Sequence, residues 1–173
     1  MSVDTPVALL ARIPIFSRLM PAQIAEIVRR AEKIKIPARE HITRAGTPGD
    51  GAFLLVSGNA EDLADPSQPL PPGSLIGELA MLVEHNYGAT VVARERMHCL
   101  KITRAAMHSQ ILEDPSLGEH LTQHITQRLL RMANGLKHID HDPEKSEAVS
   151  AKRSAFMIAR PIMGALDRIL RAQ

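Results

Sequence analysis

Aromatic side chains make up only 2% of this 173-residue chain, which has one tyrosine and no tryptophan. So few rings leave no stacking platform for the bases of a single-stranded nucleic acid, which argues against RNA binding. A single thiol, Cys99, cannot close an internal disulfide, and its setting in MHCLKI predicts a buried strand residue. No apolar run reaches the length of about 18 residues at which a segment reads as a membrane-spanning helix. The opening MSVDTPVALLARIP has no cationic start and carries Asp4, so no leader is read there and the cytoplasm is the expected compartment. Charge of one sign is lacking too. With 21 basic and 19 acidic side chains interspersed, the net charge of +2 gives no footprint for a phosphate backbone. Phosphate-loop, CxxC and serine-triad patterns are all absent, so no catalytic residue is assigned and an enzyme is not expected. His120 and His124 have the four-residue spacing of a metal pair but no third ligand in register, so no metal site is assigned.

What is present is the composition of a globular domain, 45% hydrophobic and 23% charged. Three textures succeed one another. From Pro6 to Lys33 apolar residues fall near a 3.6 period, with Met20-Pro21 opening a helix. From Ile34 to Ile102 short β-type runs, among them Ala52 to Val56, Thr90 to Ala93 and Met97 to Ile102, are separated by glycine- and proline-rich punctuation such as AGTPGDG and PLPPG. Several short strands at close spacing predict a sandwich or rolled barrel. Helical texture returns at Arg104. Leu117, Leu121, Ile125, Leu129, Met132, Leu136 and Ile139 make one stripe on a long helix opened by Asp114-Pro115. That stripe is either a seam against the domain's own body or a subunit contact, and the subunit contact is the favoured expectation.

Within the β-type region, LIGELAMLVEHNYGAT at 75 to 90 is unusual. A strand runs into Gly77, where a missing side chain lets another group approach the backbone. Glu78 to Val83 then read as one or two helical turns, whose first amides and dipole suit an anion such as phosphate. A carboxylate at Glu78 is badly placed to grip phosphate and well placed to accept hydrogen bonds from sugar hydroxyls. Phosphate with ribose suggests a nucleotide, and the strand from Ala89 to Ala93 is expected to form the other wall of its pocket.

From about Leu10 to Ile125 the chain resembles the cyclic-nucleotide-binding domain of catabolite activator protein, of kinase regulatory subunits and of nucleotide-gated channels. Four segments carry the resemblance in order: IPIFSRLMPAQIAEIV, ITRAGTPGDGAFLLVSG, PPGSLIGELAMLVEHNYGATVVA and LKITRAAMHSQILEDP. It implies an α+β fold with a mainly β core, a double-stranded β-helix or jelly-roll-like β-roll, flanked by N-terminal helices and a long C-terminal helix. It also implies that the amides of Gly77, Glu78, Leu79 and Ala80 hold the cyclic phosphate, with Glu78 on the ribose 2′-hydroxyl. The rest of the family's ligand set falls on Tyr87, Gly88, Ala89 and Thr90, and here the pattern departs. Tyr87 stands where the family has an arginine on the phosphate, and a neutral phenol offers one hydrogen bond in place of a charged fork. Tyr87 is expected to stack on a purine or to cap and fill the pocket. Arg94, Arg96 and His85 are the nearby basic groups, and strand alternation aims none of them at the place of the arginine. Arg39 departs as well, in a turn where the family usually has glycine.

Residues 1–139 are therefore expected to form the sensor domain with its C-terminal helix, 140–150 a polar linker and 151–173 a basic amphipathic tail. That tail is expected to dock on the domain or a partner subunit, with a membrane-surface contact as the alternative. It is too short, and broken by Pro161, to carry a recognition helix, so no DNA partner is expected. The expected protein is a non-catalytic regulator with no required cofactor, a possible cAMP or cGMP ligand, an unidentified protein partner and a homodimer contact through 115–139. The alternative is the same fold with nucleotide binding lost, serving as an interaction scaffold.

Overall fold

The computed structural model describes residues 4–137, with side chains over 5–127, in two compact units that divide between Glu113 and Asp114. The linker at 140–150, the tail at 151–173 and Ile139 lie outside what it describes, as do the side chains of the stripe residues Leu129, Met132 and Leu136. In the first unit, helices α1 (Asp4–Ala11) and α2 (Pro21–Arg30) precede the strands. Pro21 starts α2 as the sequence suggests, and Gln23 Oε1 accepts a hydrogen bond from the Met20 amide, supplying an acceptor at the open helix end. Ile24, Ile27 and Val28 form its buried face.

Ten short strands follow: β1 (Glu32–Ile36), β2 (His41–Thr43), β3 (Pro48–Gly49), β4 (Gly51–Ser57), β5 (Ala60–Asp62), β6 (Asp65–Leu70), β7 (Leu75–Ile76), β8 (His85–Asn86), β9 (Val91–Ala93) and β10 (Met97–Thr103). They pair antiparallel in two four-stranded sheets, β1-β10-β4-β7 and β2-β9-β5-β6, with a separate two-stranded ladder of β3 and β8. This is the expected β-roll. Its interior holds Ile36, Ile42, Phe53, Leu55, Val91 and Met97, joined by Cys99 and Tyr87. Period-two alternation then sends Leu100 and Ile102 of β10 to the other face, where the helices lie, so β10 is buried on both sides.

The turn from β1 to β2 holds Arg39 at φ 68°, while its amide donates to Ala93 O at 2.7 Å. The arginine takes the left-handed conformation usually reserved for glycine; the backbone does not relax around it. One detail departs from the expected elements. The turn after Gly77 is a 3₁₀ helix only from Glu78 to Met81, shorter than the stretch to Val83. Strands β5 and β6 form a hairpin between Gly58 and Pro72, with β6 a strand despite Pro66 and Pro69. Helix α3 (Arg104–Glu113) completes the first unit.

The second unit begins with α4 (Pro115–Lys137), where Asp114 Oδ1 accepts hydrogen bonds from the Ser116 amide and hydroxyl at the helix start. Leu117, Leu121 and Ile125, the first three residues of the apolar stripe, are buried.

Candidate functional site

Gly77 is the hinge of the site. It sits at φ 75°, which costs glycine nothing, and turns the chain out of β7 directly into the 3₁₀ helix. Ala80 N donates to Gly77 O at 3.0 Å, and both Leu82 N and Val83 N donate to Leu79 O at 3.0 Å, so the cassette closes on itself. The first amides of such a turn have no acceptor within it, and Glu78 occupies the opening position. Glu78 and Leu79 are half-buried, and Ala80 is buried.

Against this cassette lies Tyr87, buried to 9% exposure. A Cβ added at Gly77 would come within 2.7 Å of Tyr87 Cε1, and one at Gly49 within 3.1 Å of the same atom. Two glycines therefore form a slot that the phenol ring fills. The tilted Phe53 ring, 6.3 Å away between centroids, packs on it from the roll interior. At the slot's end Tyr87 Oη donates to Gly51 O at 3.0 Å and lies 3.4 Å from Asp50 Oδ1. Burial first, and the Asp50 carboxylate second, push the phenol's pKa above its ordinary value, so the hydroxyl remains a donor. Asp50 in turn accepts from Lys101 Nζ at 2.6 Å, which draws its carboxyl below the usual range.

The remaining residues assigned from the sequence lie beyond the ring. Gly88 is exposed, and a Cβ there would meet nothing within 4 Å. Ala89 packs against the roll interior, and its carbonyl accepts from Thr43 Oγ1 at 3.0 Å. Thr90 Oγ1 accepts from Ala45 N, also at 3.0 Å, fastening the strand to the preceding loop. Of the nearby basic groups, Arg94 is exposed and engaged with Glu61 and Pro66 O on the β5–β6 hairpin. Arg96 is exposed, and His85 sits on β8.

One cation that the sequence reading passed over does reach the cassette. Arg104, the first residue of α3, directs Nη1 to the carbonyls of Gly49 at 3.0 Å, Val83 at 3.1 Å and Ala80 at 3.4 Å. His108, one turn further along α3, lies 2.6 Å from Leu82 O. These bonds satisfy carbonyls at the end of the 3₁₀ turn and tie the cassette to α3. Nothing in the sequence signals this, because the partners are backbone atoms remote in sequence. Among the described residues no three His, Cys, Asp or Glu gather to hold a metal ion.

The model of the cyclic nucleotide-binding domain family matches residues 33–114. A cyclic nucleotide-gated potassium channel of Mesorhizobium japonicum is 32% identical over 64% of this chain and 31% of its own. A cAMP-dependent protein kinase regulatory subunit of Emericella nidulans is 36% identical over 56% of this chain and 24% of its own. The chain thus spans a quarter to a third of these relatives. Among solved structures, the N-terminal domain of a transcriptional regulator from Streptomyces coelicolor superposes with a TM-score of 0.66, at 22% identity, over 79% of this chain and 99% of that one. A cyclic nucleotide-binding-like protein from Brucella abortus gives 0.55 at 20% identity, over 61% and 97%. These two share the fold.

Proposed function

We propose, from the premise that residues 33–114 are a domain of the cyclic nucleotide-binding family, that this chain is a non-catalytic regulatory module that takes cAMP or cGMP weakly. The observation that carries this reading is the cassette itself, where left-handed Gly77 delivers the chain into a 3₁₀ turn headed by Glu78. In this reading the amides of Gly77 to Ala80 meet the cyclic phosphate and Glu78 accepts from the ribose 2′-hydroxyl. Tyr87 supplies no charge, and its one proton is already given to Gly51 O. Charge-assisted hydrogen bonds contribute about 1.5 to 3 kcal/mol, so the missing arginine weakens binding by roughly one to two orders of magnitude. The relatives' names join a cyclic nucleotide to a channel and to a kinase, and this chain would likewise pass ligand state to a partner. Arg104 and His108, which tie the cassette to α3, are the contacts through which a shift in the cassette would move that helix.

A second reading draws on the packing of Tyr87. Its ring fills the slot between Gly49 and Gly77 and is tied at its far end, as in a fold that has given up nucleotide and serves as a protein-interaction scaffold. Either reading is compatible with a homodimer contact through 115–139, a stretch in which Leu117, Leu121 and Ile125 are buried. No helix among the described residues is long and apolar enough to cross a membrane.

Calorimetric titration with cAMP and with cGMP separates the two readings. The sensor predicts saturable binding in the tens to hundreds of micromolar, on the order expected after losing one charged contact, and its loss in Glu78→Ala. Silence to millimolar nucleotide in the native chain, with binding gained in Tyr87→Arg, would instead establish the scaffold.

A further inference from the structure

On the outer face of the β1-β10-β4-β7 sheet, away from the cassette, is a cavity of about 610 Å³. That is the size of a small-molecule site. Its floor is apolar, formed by Val28 of α2, Val56 of β4 and Leu100 of β10, with Pro6 of α1 at one end. Its rim is cationic. Strand β1 reads EKIKI, and Ile34 and Ile36 point into the roll. Period-two alternation therefore places Lys33 and Lys35 on the opposite face, beside their cross-strand partners Leu100 and His98. A sheet face covered by helices ordinarily reads as apolar throughout. Here α2 covers β10 while the edge strand presents two exposed lysines, neither of which has an ion-pair partner among the described residues. A third cation, Arg29, lines the same cavity and is engaged with Glu26.

An apolar hollow closed on one side by two uncompensated ammonium groups is complementary to a molecule with an apolar body and one anionic end. We infer that this cavity binds an acyl carboxylate, its chain over Val28, Val56 and Leu100 and its carboxylate between Lys33 and Lys35. Lys33 and Lys35 both line the cavity and are exposed, and a lysine at such an edge lays its stem on apolar surface and keeps its charged end in water, which suits such a head group. The site lies outside the cassette and takes a ligand of a different class.

Titration of the full chain with decanoate and with the uncharged 1-decanol tests this. Decanoate should saturate one site per chain, and decanol should bind about tenfold more weakly or worse, the factor expected for a lost charged contact. The double variant Lys33→Gln/Lys35→Gln, on the exposed edge, should bring decanoate down to the decanol level and leave decanol unchanged. Ala25→Phe, which fills the hollow from α2, should abolish both. Decanoate failing to saturate below its micelle concentration, decanol binding as tightly as decanoate, or binding unaltered in the lysine variant would each overturn the proposal. So would binding confined to phosphatidylglycerol vesicles, which would assign the face to a phospholipid surface.

Discussion

Tyr87 is enclosed by Gly49, Gly77 and Phe53, and its hydroxyl reaches Gly51 O. Tyr87→Phe keeps the ring and leaves that carbonyl without its donor, so unfolding in urea should show a loss of about 1 kcal/mol at unchanged slope. Tyr87→Arg is a milder change than burying a charge ordinarily would be. The hydroxyl already lies 3.4 Å from Asp50 Oδ1, so a guanidinium there would share that carboxylate with Lys101. This is why the variant is a fair test of nucleotide binding. Arg39 is the other residue out of keeping with its place. Its left-handed backbone costs on the order of 1 kcal/mol, part of which glycine returns through the greater freedom of the unfolded chain. Arg39→Gly should therefore stabilise the protein by about 0.5 kcal/mol, read as a raised urea midpoint.

Among elements, α2 and α3 are joined by a chain of charges. Glu26 accepts from Arg29 and Arg30, and Arg30 reaches across to Glu113 at the end of α3. Hydrogen bonds from Arg29 and then Arg30 draw the Glu26 pKa down from 4.5 to about 2. A carboxylate whose folded pKa lies below its unfolded value stabilises above the unfolded value, and that contribution fades as pH falls through the folded one. Native protein should thus lose stability between pH 4.5 and about 2 more steeply than Glu26→Gln, as thermal melts across that window would record.

The elements also differ in how plainly the sequence announces them. Helix α2 is legible from its period, and strands β4, β9 and β10 from short apolar or β-branched runs between turn signals. The strand character of β6 is not, because two prolines usually argue against a strand; β6 tolerates them at the edge of its sheet, where ladder donors are not required. The two-residue strands β3 and β8 are too short to have any period, yet they bring Gly49 beside Tyr87. The break at Gly77 and the helical turn that Glu78 opens are legible from local chemistry alone. The slot around Tyr87 and the Arg104 contacts depend on segments far apart in sequence, which no local pattern encodes.

At the scale of the whole molecule, the sheet interior protects the chain's one thiol. Cys99 is 2% exposed, and burial raises its pKa from 9.0 to about 11. The native protein should not react with a thiol reagent at pH 8, and one thiol should appear on unfolding. A prompt native-state reaction would mean that β10 opens locally. The scarcity of aromatic residues has an optical consequence. With no tryptophan and a single tyrosine in the chain, ultraviolet emission excited near 280 nm comes from one phenol, and that phenol is wedged against Gly77. The cassette is thus self-reporting without any label. A molecule arriving there will change the quantum yield of that ring, while one settling under α2 on the far side of the sheet will leave it dark to the event, so a fluorimeter alone can tell which door was used.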